Sequence, residues 1–354
     1  MALRDQLTAS QQAIESVVRD FFDSQRAVSK EIHSSLYDSV VQLETFSLRG
    51  GKSVRSFLSL TAAKLAGLPE SEELYKACAS VELHHKHILI LDDIADRDET
   101  RYGGPTLEHA YYAVFGEDPD GKHRALSFAM LDGVLLGALS KELLLSSSFP
   151  PQVLIDCIKL FDTVMYRDTL AGWQIHGLQC IEPLRDSSEE LFIKGLLLVT
   201  ARYTFTGPLL FGLTLAQSTD PKLKQAIVDY GEAVGTAFQM QDDILGLFGD
   251  PKVTGKPVGN DVREGKKTLL VQYAYHHTTK EDQTFLEQIL GKPLTPQDLE
   301  KVQAIVKDSG ALDYAKELAK SYVEKGIQAL EGLEESESKT TLIELARYII
   351  SRQK

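Results

Sequence analysis

The stretch LYKACASVELHHKHILIL, residues 74–91, decides the fold. Its apolar residues recur at i, i+3 and i+4, and the strict alternation of a half-buried strand is missing. Pro69-Glu70-Ser71 ahead of it reads as a helix start, with Glu72 and Glu73 in the first turn, where the helix dipole favours negative charge. The same pattern recurs along the chain. Thr295-Pro296-Gln297-Asp298 marks another start, with Thr295 as N-cap and Pro296 at the first helical position. Breaks are expected at 116–121, 146–151, 182–188, 218–221 and 331–338, none long or simple enough to link independent domains. VTARYTF, residues 199–205, has the β-branched and aromatic composition of a strand, but its helical surroundings overrule that propensity. The expectation is one all-α domain over residues 1–354.

Composition narrows the function classes. The chain has 354 residues, 43% hydrophobic, which is ample for a sizeable core. Lys and Arg number 38 against 51 Asp and Glu, so the net charge is −13 and no basic face for nucleic acid is expected. An anionic substrate stays open, because a few cations reverse a local field. Three cysteines, Cys78, Cys157 and Cys180, are odd in number and widely spaced, which fits a reducing cytoplasm better than a disulfide framework. The N-terminal residues read as a polar helix, not a signal peptide. No run of about 18 apolar residues stands out, so no membrane span is expected.

The sharpest local signal is LDDIADRDETRYGGPT, residues 91–106. On a helix, Asp92 and Asp96 lie one turn apart on one face, with Asp93 about 100° round from Asp92. Like charges so close are unfavourable unless cations sit between them, and carboxylates are the hard oxygen ligands Mg²⁺ prefers. Alone, such a motif would serve equally well as a solvated acidic helix end. A second paired aspartate, Asp242-Asp243, closes FQMQDDILG, residues 238–246, and is followed at once by the Gly- and Lys-rich GDPKVTGKPVGNDVREGKK, residues 249–267. A loop of that composition between apolar helices is more often functional than structural. A third motif, Arg49-Gly50-Gly51-Lys52-Ser53-Val54-Arg55, places glycines and cations at a helix entry, where free N–H groups favour phosphate. Two acidic helix ends, each followed by basic residues, suit a diphosphate held between metal ions and ammonium or guanidinium groups. The His84-His85-Lys86-His87 run is not a zinc site, since near-consecutive helical residues cannot converge on one tetrahedral ion. His85 shares a side with Asp92, seven residues on, and suits a substrate pocket.

From about Phe46 to the C-terminal Lys354 the chain resembles the trans-isoprenyl diphosphate synthases, the farnesyl and geranylgeranyl type, with closest likeness to bacterial members. The resemblance implies an all-α helical bundle around a central apolar cavity. It implies isopentenyl diphosphate contacts for Lys52, Arg55 and His85, and divalent metal ligation, Mg²⁺ with Mn²⁺ as a substitute, by Asp92, Asp93, Asp96, Asp242 and Asp243. It assigns Arg101, Lys256 and Lys266 to the allylic diphosphate, and Thr200 and Gln239 to the substrate-binding set. It also implies a homodimer. Several positions depart from the family pattern: Tyr102 replaces the second of two paired arginines, Ser53 and Ser56 replace Arg and Pro, Val199 stands where a lysine precedes Thr200, and Gly246 replaces the last Asp of the second motif. Arg202 lies near enough to stand in for the lysine missing at Val199. Trp173 and His176 fall on the Gln and Asp of a further motif. Arg352 and Lys354 are candidates for closing the isopentenyl site.

The implied reaction is ionisation, condensation and elimination. An allylic diphosphate departs, the isopentenyl double bond attacks the cation, and a proton is lost, with no side chain given the role of base. A product of C15–C20 is expected, stopped by a floor near His87 or Ile88. The resemblance points to His87, five places before Asp92, whereas helix arithmetic favours Ile88, about 40° from Asp92 against about 140° for His87. A class I terpene cyclase and a weakly active or non-catalytic partner subunit of a hetero-oligomeric synthase are the other readings. The cyclase would carry an Asn/Ser/Glu second motif, and the subunit would lack aspartates that this chain keeps.

Overall fold

The computed structural model describes residues 2–250 and 258–352. Helices dominate, and the strands among the described residues are two dipeptides, so the all-α expectation holds. The chain gathers into two compact units, Met1–Phe161 with Phe211–Ser218, and Asp162–Leu210 with Thr219–Lys354.

The first unit holds α1 (Leu3–Ile32), α2 (Ser34–Leu48), α3 (Val54–Leu65), α4 (Glu72–Asp96), β1 (Thr100–Arg101), β2 (Gly104–Pro105), α5 (Leu107–Phe115), α6 (Pro119–Leu145) and α7 (Pro151–Leu160). Ser71 caps α4 by accepting from the Leu74 amide at 3.2 Å, and Glu72 and Glu73 fill its first turn as expected. The helix runs on to Asp96, so all three aspartates of the first motif ride its last turns. It stops at Arg97, left-handed at φ 56°, while the Asp98 amide reaches back to the Asp93 carbonyl at 2.9 Å, a Schellman-type ending. Every residue from 77 to 88 of α4 is buried, because α1, α3 and α6 pack around it. Helices buried on all sides are core helices. The β1–β2 hairpin, which the sequence reading missed, pairs Thr100 with Pro105 and Arg101 with Gly104. Its two-residue turn, Tyr102-Gly103, has φ of 52° and 74°, both left-handed as a type I′ turn requires.

The second unit holds α8 (Asp168–Ile181), α9 (Glu189–Leu196), the first four residues of α10 (Gly207–Leu215), whose remainder counts with the first unit, α11 (Pro221–Phe248), α12 (Asn260–Arg263), α13 (Leu269–His276), α14 (Lys280–Ile289), α15 (Pro296–Asp308), α16 (Ala311–Ala329) and α17 (Glu337–Ser351). The stretch Leu197–Thr206 winds as a π helix. Overruling its strand propensity was therefore right, though its i→i+5 period is wider than that of an α helix. It lies against α11, where a Cβ on Gly235 would fall 2.5 Å from the Ala201 Cα. Only glycine allows that approach. Thr295 and Asp298 form the expected start of α15 as a reciprocal capping box, with amide-to-side-chain bonds of 3.2 and 3.0 Å. One expectation is corrected: Glu189–Leu215 is long and apolar enough to cross a membrane, and 72% of its apolar window is buried inside the fold. Its apolarity is that of a core helix.

Candidate active site

In the first unit the end of α4 and the hairpin build one charged cluster. Arg101, 8% exposed, donates from Nε to Asp93 Oδ1 at 2.6 Å and from Nη2 to Asp92 Oδ2 at 3.2 Å and Asp98 Oδ2 at 3.0 Å. Asp93 is 3% exposed, and burial pushes its carboxyl up to about 7 against the opposing pull of Arg101. Asp92 and Asp96 are less buried. On the preceding turns of α4, His85 Nε2 accepts from Arg55 Nη1 at 3.1 Å. Because a guanidinium only donates, this bond places the imidazole proton on Nδ1. Burial, with Arg55 beside it, holds His85 well below the usual imidazole range. The adjacent Lys52 is exposed.

The second unit repeats the design at the end of α11. Thr200 Oγ1 donates to Gln239 Oε1 at 2.6 Å, and Gln239 Nε2 donates to Asp243 Oδ1 at 2.8 Å. Asp243 is 7% exposed, and burial first, then Asp261, drives its carboxyl well above the usual carboxylate range. Asp242 is more open and accepts from Arg352 Nη2 at 2.6 Å. Arg352 also donates to the Phe238 carbonyl at 3.0 Å and lies 3.9 Å over the Phe238 ring.

In both pairs, then, the first aspartate is accessible and engaged by an arginine, while the second is buried. The Oδ2 atoms of Asp93 and Asp243 are buried without a hydrogen-bond partner. An orphaned carboxylate oxygen in each pair fits a hard divalent cation. No group of three or more His, Cys, Asp or Glu is gathered in metal-binding geometry among the described residues. Mg²⁺ in general draws one or two protein carboxylates and takes its remaining ligands from water and phosphate.

Most expected site residues are thus found in clusters: Asp92, Asp93 and Arg101, Arg55 and His85, Thr200, Gln239 and Asp243. Lys256 and Lys354 lie outside the described residues. Lys266 meets the acids of its own loop, with Nζ 2.6 Å from Glu264 Oε2 and 4.0 Å from Asp261 Oδ1. Its neighbour Lys267 is buried and donates to the Gln179 and Glu182 carbonyls at the end of α8. Arg202, the candidate stand-in for the lysine absent at Val199, pairs with Glu232 and Asp168 at 3.0 and 3.2 Å. Sequence reasoning missed Asp261. A Cβ on Gly246 would lie 3.0 Å from Asp261 Oδ2, so the loop returns a carboxylate to the place where the second motif lacks one. The available signal was Asp261 itself, the first acidic residue after Lys256 in the loop. His87 Nδ1 lies 2.7 Å from the Gly133 carbonyl, and Ile88 is 2% exposed.

An all-helical chain with two paired-aspartate helix ends belongs to the isoprenoid synthase class, and the relatives agree. Residues 40–308 match the polyprenyl synthetase family. The geranylfarnesyl diphosphate synthase of Aeropyrum pernix is 34% identical over 86% of this chain and 91% of its own length. The geranylgeranyl diphosphate synthase of Methanosarcina mazei is 30% identical over 86% of each. A geranylgeranyl pyrophosphate synthase from Corynebacterium glutamicum, solved with isoprenyl diphosphate and magnesium, superposes with a TM-score of 0.89 at 28% identity, covering 97% of this chain and 98% of that one. The chain belongs to the polyprenyl synthetase family and is a prenyltransferase that elongates prenyl chains.

Proposed function

We propose that this chain, working as one catalytic domain, condenses isopentenyl diphosphate head-to-tail with an allylic diphosphate to give an all-trans C15–C20 product and diphosphate. The observation that carries the reading is the repeated pair, Asp92-Asp93 and Asp242-Asp243, each with an orphaned buried oxygen and an accessible partner. Asp92, Asp93, Asp96, Asp242 and Asp243 would hold magnesium, which when bound neutralises the leaving diphosphate. Arg101, Lys256 and Lys266 add charge-assisted hydrogen bonds to that group as the C–O bond breaks. Lys52, Arg55 and His85 hold isopentenyl diphosphate, and Thr200 and Gln239 orient the second pair. The new C–C bond forms at the allylic carbon, and a proton leaves the condensed chain for the released diphosphate. Met130, Leu131 and Val134, 50–66% exposed on one face of α6, suit a homodimer contact. The free thiols Cys78, Cys157 and Cys180 suit a cytoplasmic setting. Purified protein incubated with magnesium, isopentenyl diphosphate and each allylic diphosphate should yield C15–C20 products that vanish in EDTA. Full activity in EDTA, or no condensation with any allylic partner, ends this reading.

A further inference from the structure

One buried charge in the first unit has no part in the chemistry described so far. Lys86 is 1% exposed, although lysine is almost never buried without a close partner. Its nearest carboxylate, Glu82 Oε1, is 3.9 Å away on the same helix, a loose pair. Its firm contacts are to the phosphate-type loop between α2 and α3. Nζ donates to the Gly50 carbonyl at 3.1 Å and lies 4.7 Å from the centre of the Tyr102 ring.

Tyr102 is itself out of place. It occupies the first position of the hairpin turn at φ 52°, where an aromatic side chain is strained and asparagine or glycine is usual. Gly50 and Gly51, at φ 63° and 103°, close the same contact. A Cβ on Gly50 would fall 2.9 Å from the Tyr102 Cβ, and one on Gly51 would fall 3.5 Å from the Lys86 Nζ. Arg49 ties the hairpin down from the other end by donating to the Pro105 carbonyl at 2.6 Å. Loop, ring and ammonium form one locked assembly, and Lys52 and Arg55 follow directly on it. Strain of this kind is retained where it sets geometry.

We propose that Lys86 is a positioning residue for isopentenyl diphosphate: held between the Gly50 carbonyl and the Tyr102 ring, it fixes the turn from which Lys52 and Arg55 meet the diphosphate. This rests on the assignment of Lys52 and Arg55 above. The buried ammonium acts through the loop, to which its hydrogen bond to the Gly50 carbonyl and its contact with the Tyr102 ring tie it. The cation–π contact explains why the turn carries tyrosine.

The test compares Lys86→Met, Lys86→Arg, Tyr102→Phe, Tyr102→Asn and Arg55→Met for isopentenyl diphosphate affinity by calorimetry and for both Michaelis constants. Lys86→Met should weaken isopentenyl diphosphate about tenfold, the scale of one charged hydrogen bond, with kcat and the allylic KM close to wild type. Lys86→Arg should recover part of that loss. Tyr102→Phe keeps the ring and should bind normally. Tyr102→Asn suits the turn better yet should weaken isopentenyl diphosphate, a loss that a simple relief of strain would not cause. Normal affinity in both Lys86→Met and Tyr102→Asn, while Arg55→Met is weakened, overturns the role of Lys86 and leaves the site assignment standing. Normal affinity in Arg55→Met removes the assignment itself. An equal rise in both Michaelis constants with a fall in kcat, in the well-folded Tyr102→Asn protein, also overturns the proposal.

Discussion

Neighbouring aspartates in this chain are not equivalent. Asp92 and Asp242 have side chains 29% and 40% exposed, whereas Asp93 and Asp243 are 3% and 7% exposed. Removing an exposed carboxylate that meets a metal ion should affect chemistry and spare folding. Asp92→Ala and Asp242→Ala should each lower turnover by about two orders of magnitude or more, as lost electrostatic stabilisation of a leaving group does, while stability read from urea midpoints falls by no more than the roughly 1 kcal/mol of a partly exposed ion pair. Wild-type turnover in both variants would end the two-pair mechanism. Asp93→Ala should differ, because it strips the Nε partner from buried Arg101. Asp92 and Asp98 still hold that guanidinium, so the expected destabilisation is about 1–3 kcal/mol, measured by urea unfolding.

Along α4, three buried histidines meet different partners. His84 stacks on Phe161 at 4.6 Å, His85 accepts from Arg55 at 3.1 Å, and His87 meets the Gly133 carbonyl at 2.7 Å. Burial lowers the imidazole of all three below 6.5. Each therefore takes up a proton more readily in the unfolded chain. Their contribution to stability is complete above about pH 6.5 and is lost as pH falls through that value towards the folded ones. Urea midpoints should drop between pH 7.5 and 5.5, and His84→Phe, which keeps the stack, should shrink the drop. An unaltered drop in that variant places the acid sensitivity elsewhere. The same helix carries the length prediction. A Cβ on Gly137 would sit 3.2 Å from the His87 ring, so α6 presses directly on that side chain. His87→Ala or Ile88→Ala should give products beyond C20 by chromatography, with little change in the first condensation. If neither shifts the distribution, the floor lies on another helix. Of all this, the helix, its cap and its aspartates were legible in the sequence, because spacing and capping are local properties. The Tyr102-Gly103 turn was not, since tyrosine carries no left-handed signal. Asp261 was missed because it returns to Gly246 only after an intervening loop.

Taken whole, a chain of net charge −13 has to handle diphosphates, so its cations matter by placement, not number. Many are committed to acids: Arg101 to Asp92 and Asp93, Lys266 to Glu264, Arg202 to Glu232 and Asp168, Arg352 to Asp242. A metal ion arriving at the second pair therefore meets an occupied carboxylate. Since the Arg352–Asp242 pair is partly exposed, its strength is at most about 1 kcal/mol. Arg352→Gln should accordingly tighten magnesium binding by about fivefold or less, read by calorimetry without substrate, and weaker or unchanged binding would refute the competition. The same contact offers a readout of metal binding. While Arg352 grips Asp242 and the Phe238 carbonyl, trypsin should cut after it slowly. Magnesium, by taking the carboxylate, should let that cut proceed. Release of Arg352 would then report, to a protease, that the second pair has taken up its metal.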